Sequence, residues 1–143
     1  LNIEKDIKKL LKIIKKYQPL NVYYFASPKI FFMNTNILFK KRYKKFYCEY
    51  PEKILKCFTK EGNGFFYHSS ILAKKKDSYY SQSKASGEKI IKKFKNNKFV
   101  KVKILRLPGL KTKQNMTLIK NRYPFFTNYL KNNSKYFKQI LFK

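Results

Sequence analysis

The residues of this 143-residue sequence best suited to chemistry are Tyr80 and Lys84, in the run YYSQSKASGEKII (79–91). Four residues apart on a helix, a phenol and an ammonium share one face. A cation beside a phenol favours phenolate and lowers its pKa from about 10, which lets a tyrosine exchange protons near neutrality. With 12 Tyr, and with Lys as 32 of the 35 basic residues, chance alone would give roughly three Tyr-x-x-x-Lys pairs. A single such pair occurs, so its setting carries more weight than its spacing. Two Cys (Cys48, Cys57) and one His (His68) cannot furnish a Cys/His zinc site, and no metal centre is expected.

The elements that position the pair follow from periodicity. Asp77-Ser78 supplies an N-cap for a helix over 79–97, on which Ala85, Ile90, Ile91 and Phe94 form a partial apolar stripe. FVKVKILRL (99–107) alternates Val100, Val102 and Ile104 with Lys101 and Lys103, a strand stopped by Pro108-Gly109. Upstream, Ile3, Ile7, Leu10, Leu11 and Ile14 give residues 2–16 one apolar stripe capped by Asn2. NVYYFA (21–26), uncharged and aromatic, reads as a buried strand of a parallel sheet ended by Ser27-Pro28. Residues 33–76, with charge runs and a Gly62-Asn63-Gly64 turn signal, match no single element, though Pro51 to Phe58 fits a helical turn or two, and are either an insertion or a misread element. A Phe/Tyr/Leu-rich helix is expected around 118–131. Helix, short loop and buried strand in alternation place the chain in the α/β class as one domain.

In this setting the sequence resembles the extended short-chain dehydrogenase/reductases, the NAD-dependent nucleotide-sugar epimerases and dehydratases. YYSQSKASGEKII resembles their active-site helix, including Glu88, and NIEKDIKKLLKIIKKYQPLNVYYFASPKIFF resembles the preceding helix, strand and Ser-rich turn. VKVKILRLPGL is similar to the strand that follows, and TKQNMTLIKNRYPFFTNYLKNN to the next loop and helix. The resemblance implies that Tyr80 exchanges a proton with a sugar hydroxyl or keto oxygen. Lys84 would lower the Tyr80 pKa and hydrogen-bond the nicotinamide ribose, and Ser27 would orient the reacting oxygen. It also implies that Leu107 and Pro108 line the NAD or NADP site, that Gly109 stands at a substrate contact, and that two copies pair through the Tyr/Lys helix. Ser69 or Ser70, in FFYHSS, is a rival to Ser27, set aside because only about ten residues would remain for the connection to Tyr80.

The implied fold is a partial Rossmann-like parallel sheet with flanking helices and a Lys-rich insertion at about 33–76. Its four glycines, Gly62, Gly64, Gly87 and Gly109, form no phosphate-binding Gly-rich loop. The sequence therefore reads as a piece whose Gly-rich half and carboxyl-terminal substrate region are missing, a reading that the initial Leu1 supports. Residues 1–143 alone are expected not to turn over. The formal charge of +28 supports an alternative, a small basic protein that binds nucleic acid or another anionic surface. Lys in place of Arg, with abundant Asn, Ile, Phe and Tyr, points instead to A/T-rich codons. No apolar run approaches the roughly 20 residues of a membrane-spanning helix, no signal peptide is evident, and a cytoplasmic location is expected.

Overall fold

The computed structural model describes residues 2–30, 37–109, 125–132 and 140–142. Helix α1 (Ile3–Tyr17) starts where Asn2 accepts from the Glu4 N–H and ends at Gln18 in the left-handed region, φ 45°. The Gln18 side chain donates to the Cys57 carbonyl at 2.9 Å and accepts from the Thr59 N–H at 2.9 Å, which ties the end of α1 to a distant loop. Strand β1 (Asn21–Tyr24) follows.

The stretch that the sequence left unassigned, 33–76, holds the crossover helices and the central strand, elements that the sequence reading did not place. Helix α2 (Ile37–Lys44) runs through a π-helical turn, Lys45–Glu49, into α3 (Tyr50–Leu55). Pro51 explains the turn, because it has no N–H to offer the preceding carbonyls. The Tyr50 N–H goes to the Lys45 carbonyl. The Phe46 and Tyr47 carbonyls take hydroxyl protons from Tyr24, at 2.7 Å, and Tyr67, at 3.1 Å. Two strand tyrosines thus complete the hydrogen bonding of a helix that proline interrupts. Strand β2 (Asn63–Ser70) passes into a 3-10 turn, Ile71–Lys74, and then α4 (Tyr79–Lys92). Ser78 and Ser81 cap α4 reciprocally, each side chain accepting from the other's backbone N–H, at 3.2 and 3.0 Å. Strand β3 (Val100–Leu107) follows, and a short helix α5 spans Phe126–Asn132; the rest of the helix expected at 118–131 lies outside the described residues.

The three strands are parallel in the order β1-β2-β3, with Val22 opposite Phe65 and Phe65 opposite Val102. Alternate side chains (Tyr24, Phe65, Tyr67, Val100) face the helices and pack with Ile14, Tyr47, Ile54 and Ile91. On the opposite face Phe66, Leu105 and Leu107 pack with Ile140, Tyr129 and Phe142. Gly87 lets α4 approach the π turn: a Cβ there would collide with the Tyr47 carbonyl and the Tyr67 hydroxyl.

Candidate active site

The carboxyl ends of β1 and β2 and the first turns of α4 converge on Tyr80 and Lys84. Both side chains point inward, Tyr80 at 8% exposure and Lys84 at 0%. The Ser70 side chain lies beside the Tyr80 phenol, near enough to hold its pKa down. Ser70 is the last residue of β2 and also accepts from the Leu72 N–H at 3.2 Å. The strand passes straight into the 3-10 turn, so residues 71–78 suffice to bring Tyr80 back over Ser70. That connection, which looked too short in the sequence, is long enough because none of it extends away from the sheet.

Ser27 has a different neighbour. Its hydroxyl lies 2.6 Å from the Tyr47 hydroxyl and donates to the Pro28 carbonyl at 3.2 Å. Tyr47 in turn packs edge-on against Tyr80, with ring centres 5.6 Å apart. Ser27 is thus bonded to Tyr47, and the strand-end serine beside the Tyr80 phenol is Ser70. Ser70 lies opposite Leu107, so Leu107, Pro108 and Gly109 follow at the same end of the sheet.

Lys84 donates to the His68 ring Nε2 at 3.1 Å and to the His68 carbonyl at 2.9 Å. Its Nζ also lies 4.0 Å from the centre of the Tyr47 ring, 5.2 Å from that of Tyr67 and 6.0 Å from that of Tyr80. Burial holds the lysine well below its ordinary pKa, against an opposing pull from Glu88. Burial likewise pushes the His68 imidazole down to about 3, with Lys84 adding to the effect. The expected lowering of the Tyr80 pKa is not found: burial raises it, the Ser70 hydrogen bond offsets part of that rise, and Tyr43 adds to it. Tyr80 is a neutral phenol at pH 7 and is suited to giving a proton.

One turn further along α4, Glu88 accepts from Ser69 at 2.5 Å and from both ends of the Arg106 guanidinium at 2.8 and 2.7 Å. Burial raises this carboxyl, but the hydrogen bonds from Arg106 and Ser69 outweigh it and leave it below its usual value. The Ser69-Glu88-Arg106 bridge fastens α4 to β2 and β3, and so fixes where Tyr80 and Lys84 sit. Sequence reasoning missed His68, Tyr47 and this pairing of Glu88. The one available signal was FFYHSS, an apolar run closing on polar residues between a Gly turn and the Tyr/Lys helix.

No family model matches the sequence and no curated protein is similar to it. Solved structures do resemble the chain. A short chain dehydrogenase from Burkholderia cenocepacia in complex with NADP superposes with a TM-score of 0.67 at 9% identity, over 82% of this chain and 56% of that one. A short chain dehydrogenase from Salmonella enterica serovar Typhi gives 0.69 at 11% identity, over 90% of this chain and 61% of that one. The fold is that of the short-chain dehydrogenases. This chain spans little more than half the length of either structure.

Within the short-chain dehydrogenase fold the residues present fit proton transfer and do not fit a nicotinamide nucleotide. No Gly-rich loop occurs in the sequence, and the donors of Lys84 are directed at His68 and at the face of Tyr47, leaving none for a ribose. Among the described residues no three His, Cys, Asp or Glu side chains cluster as a metal site. Among them, too, no helix is long and apolar enough to cross a membrane.

Proposed function

We propose that this chain carries the proton-transfer part of a nicotinamide-dependent oxidoreductase. Tyr80 is its acid or base, Ser70 orients the reacting oxygen, and Lys84 is the buried cation behind them. The observation that carries the reading is the burial of Tyr80 and Lys84 together on α4, with Ser70 beside the phenol at the carboxyl end of a parallel strand, the end at which open α/β sheets bind ligands. In the reducing direction the Tyr80 hydroxyl gives its proton to the oxygen of a carbonyl group. In the oxidising direction it recovers that proton from the alcohol, while Ser70 holds the same oxygen. In this reading NAD or NADP is bound by a segment outside the 143 residues.

The narrower substrate class is a nucleotide sugar undergoing epimerisation or dehydration. It rests on the sequence resemblance, and it uses the same exchange of a proton between Tyr80 and a sugar oxygen.

The test is to read the coding sequence upstream of Leu1 and assay the extended chain for NADH and NADPH turnover on nucleotide sugars and on simple ketones. An in-frame Gly-rich strand-helix unit is expected, with activity that falls by about 10²–10⁴-fold in Tyr80→Phe. Residues 1–143 alone are expected to be silent. Absence of the Gly-rich unit, or full activity in Tyr80→Phe, would overturn the reading. Turnover on ketones but not on nucleotide sugars would remove only the narrower substrate class.

A further inference from the structure

We propose that His68 is a positioning residue of this site, fixing the Lys84 ammonium through both its ring Nε2 and its own main-chain carbonyl. The proposal deepens the reading of Lys84 as part of the proton-transfer site and rests on it.

The argument starts from proton counting. The His68 ring Nδ1 lies 2.9 Å from the Tyr24 carbonyl. A carbonyl only accepts, so Nδ1 carries the ring proton and Nε2 is left with a lone pair. That lone pair faces Lys84 Nζ at 3.1 Å, and the His68 carbonyl accepts from the same nitrogen at 2.9 Å. The Tyr47 ring face, 4.0 Å away, takes the third direction around it. An ammonium has three N–H bonds, and three acceptors surround this one. Because two of them belong to one residue of β2, the lysine is fastened to the strand that ends in Ser70. The imidazole is fixed in turn: Phe25 stacks on it with ring centres 5.5 Å apart, and the Tyr24 carbonyl sets its tautomer.

The other titratable groups facing this lysine are Tyr47 from the π turn, Tyr67 from β2, and Tyr80 and Glu88 from α4 itself. The tyrosines at 47, 67 and 80 are held neutral by burial. Glu88 is already engaged by Arg106 and Ser69. His68 is therefore the residue that holds the Lys84 ammonium by hydrogen bonds, with the Glu88 charge acting beside it.

The experiment is NMR on the 143-residue chain, which reads Lys84 and His68 without any turnover. In the wild type at neutral pH, nitrogen spectra of the single histidine should show Nδ1 protonated and Nε2 bare. In His68→Phe, which keeps a ring against Phe25 and removes the acceptor, the Lys84 titration midpoint should fall by about one to two pH units. In His68→Gln, whose Oε1 can accept, it should return to within about half a unit of the wild type. A protonated Nε2 in the wild type overturns the proposal, and this reading stands even where His68→Phe does not fold. A Lys84 midpoint unmoved in His68→Phe, or no recovery in His68→Gln, also overturns it. A failure of the oxidoreductase reading appears in the enzyme assay and leaves these signals as they are.

Discussion

Lys84 and Glu88 lie one helical turn apart on α4, both buried and both of a charged residue type, yet the fold treats them in opposite ways. Glu88 has a full counter-charge in Arg106, two further protons shared across that fork and the Ser69 hydroxyl. The hydrogen-bond partners of Lys84 among the described residues are two atoms of a neutral histidine. A buried charge without a counter-charge is costly, whereas a satisfied pair is not. The first arrangement is that of a clamp. The second is a buried lysine held by neutral acceptors, with Glu88 as its more distant counter-charge.

The largest expected effect comes from breaking the clamp. Arg106→Met leaves the Glu88 carboxylate buried with Ser69 alone. Breaking a buried pair from one side costs about 3–5 kcal/mol, and because Arg106 is 35% exposed a loss of roughly 2–3 kcal/mol is expected in urea unfolding. A loss below about 0.5 kcal/mol would place Glu88 among ordinary surface ion pairs.

Lys84→Met should differ sharply. An unbranched apolar side chain of similar length relieves the buried charge but orphans the His68 acceptors, and the two effects oppose each other at about 1–3 kcal/mol each. Stability within about 1 kcal/mol of the wild type is expected, against complete loss of any turnover assigned to the site. A destabilisation as large as that of Arg106→Met would make Lys84 a structural element.

The pH dependence separates the two residues further. Glu88 is held below its unfolded pKa of about 4.3. Its contribution is complete above that value and is lost as pH falls through the folded value. Lys84 is held below its unfolded pKa of about 10.4. The unfolded chain binds the extra proton between the two values, so stability rises with pH across that window. The informative quantity is the difference between variant and wild type. Lys84→Met should flatten part of the alkaline rise and leave the acid limb alone. Arg106→Met should do the reverse.

The same contrast shows how far the sequence could be read. Helices α1 and α4 and strand β3 were legible because their apolar residues repeat with the period of one element, and β1 because NVYYFA is an uncharged run closed by Ser27-Pro28. β2 was not, because NGFFYHSS is buried along almost its whole length and so shows no alternation to read. The crossover layer was hidden by Pro51 and by lysines that suggested a loop, whereas the structure supplies the missing hydrogen bonds from Tyr24 and Tyr67 on other strands. Tyr80 and Lys84 were legible by spacing. His68 and Tyr47 were not, since they meet Lys84 only through the packing of β2 and the π turn against α4. Ser70 was visible in FFYHSS, but the 3-10 turn that folds its connection back towards α4 has no signature in the sequence.

The smallest effect, and the sharpest test of which serine serves the site, lies with the two strand-end serines. Ser27 is half-buried and its hydroxyl bonds Tyr47 at 2.6 Å and the Pro28 carbonyl at 3.2 Å. Ser27→Ala removes these neutral hydrogen bonds, so a loss of about 0.5–1.5 kcal/mol is expected. It should leave the Tyr80 ionisation where it is. Ser70→Ala removes the hydrogen bond that lowers the Tyr80 pKa, so the phenol should titrate still higher, as read by ultraviolet absorbance against a Tyr80→Phe reference. If Ser27→Ala moved the Tyr80 titration and Ser70→Ala did not, the serine serving the site would be Ser27 after all. The link between the two tyrosines would then be the Tyr47 ring, edge-on at 5.6 Å.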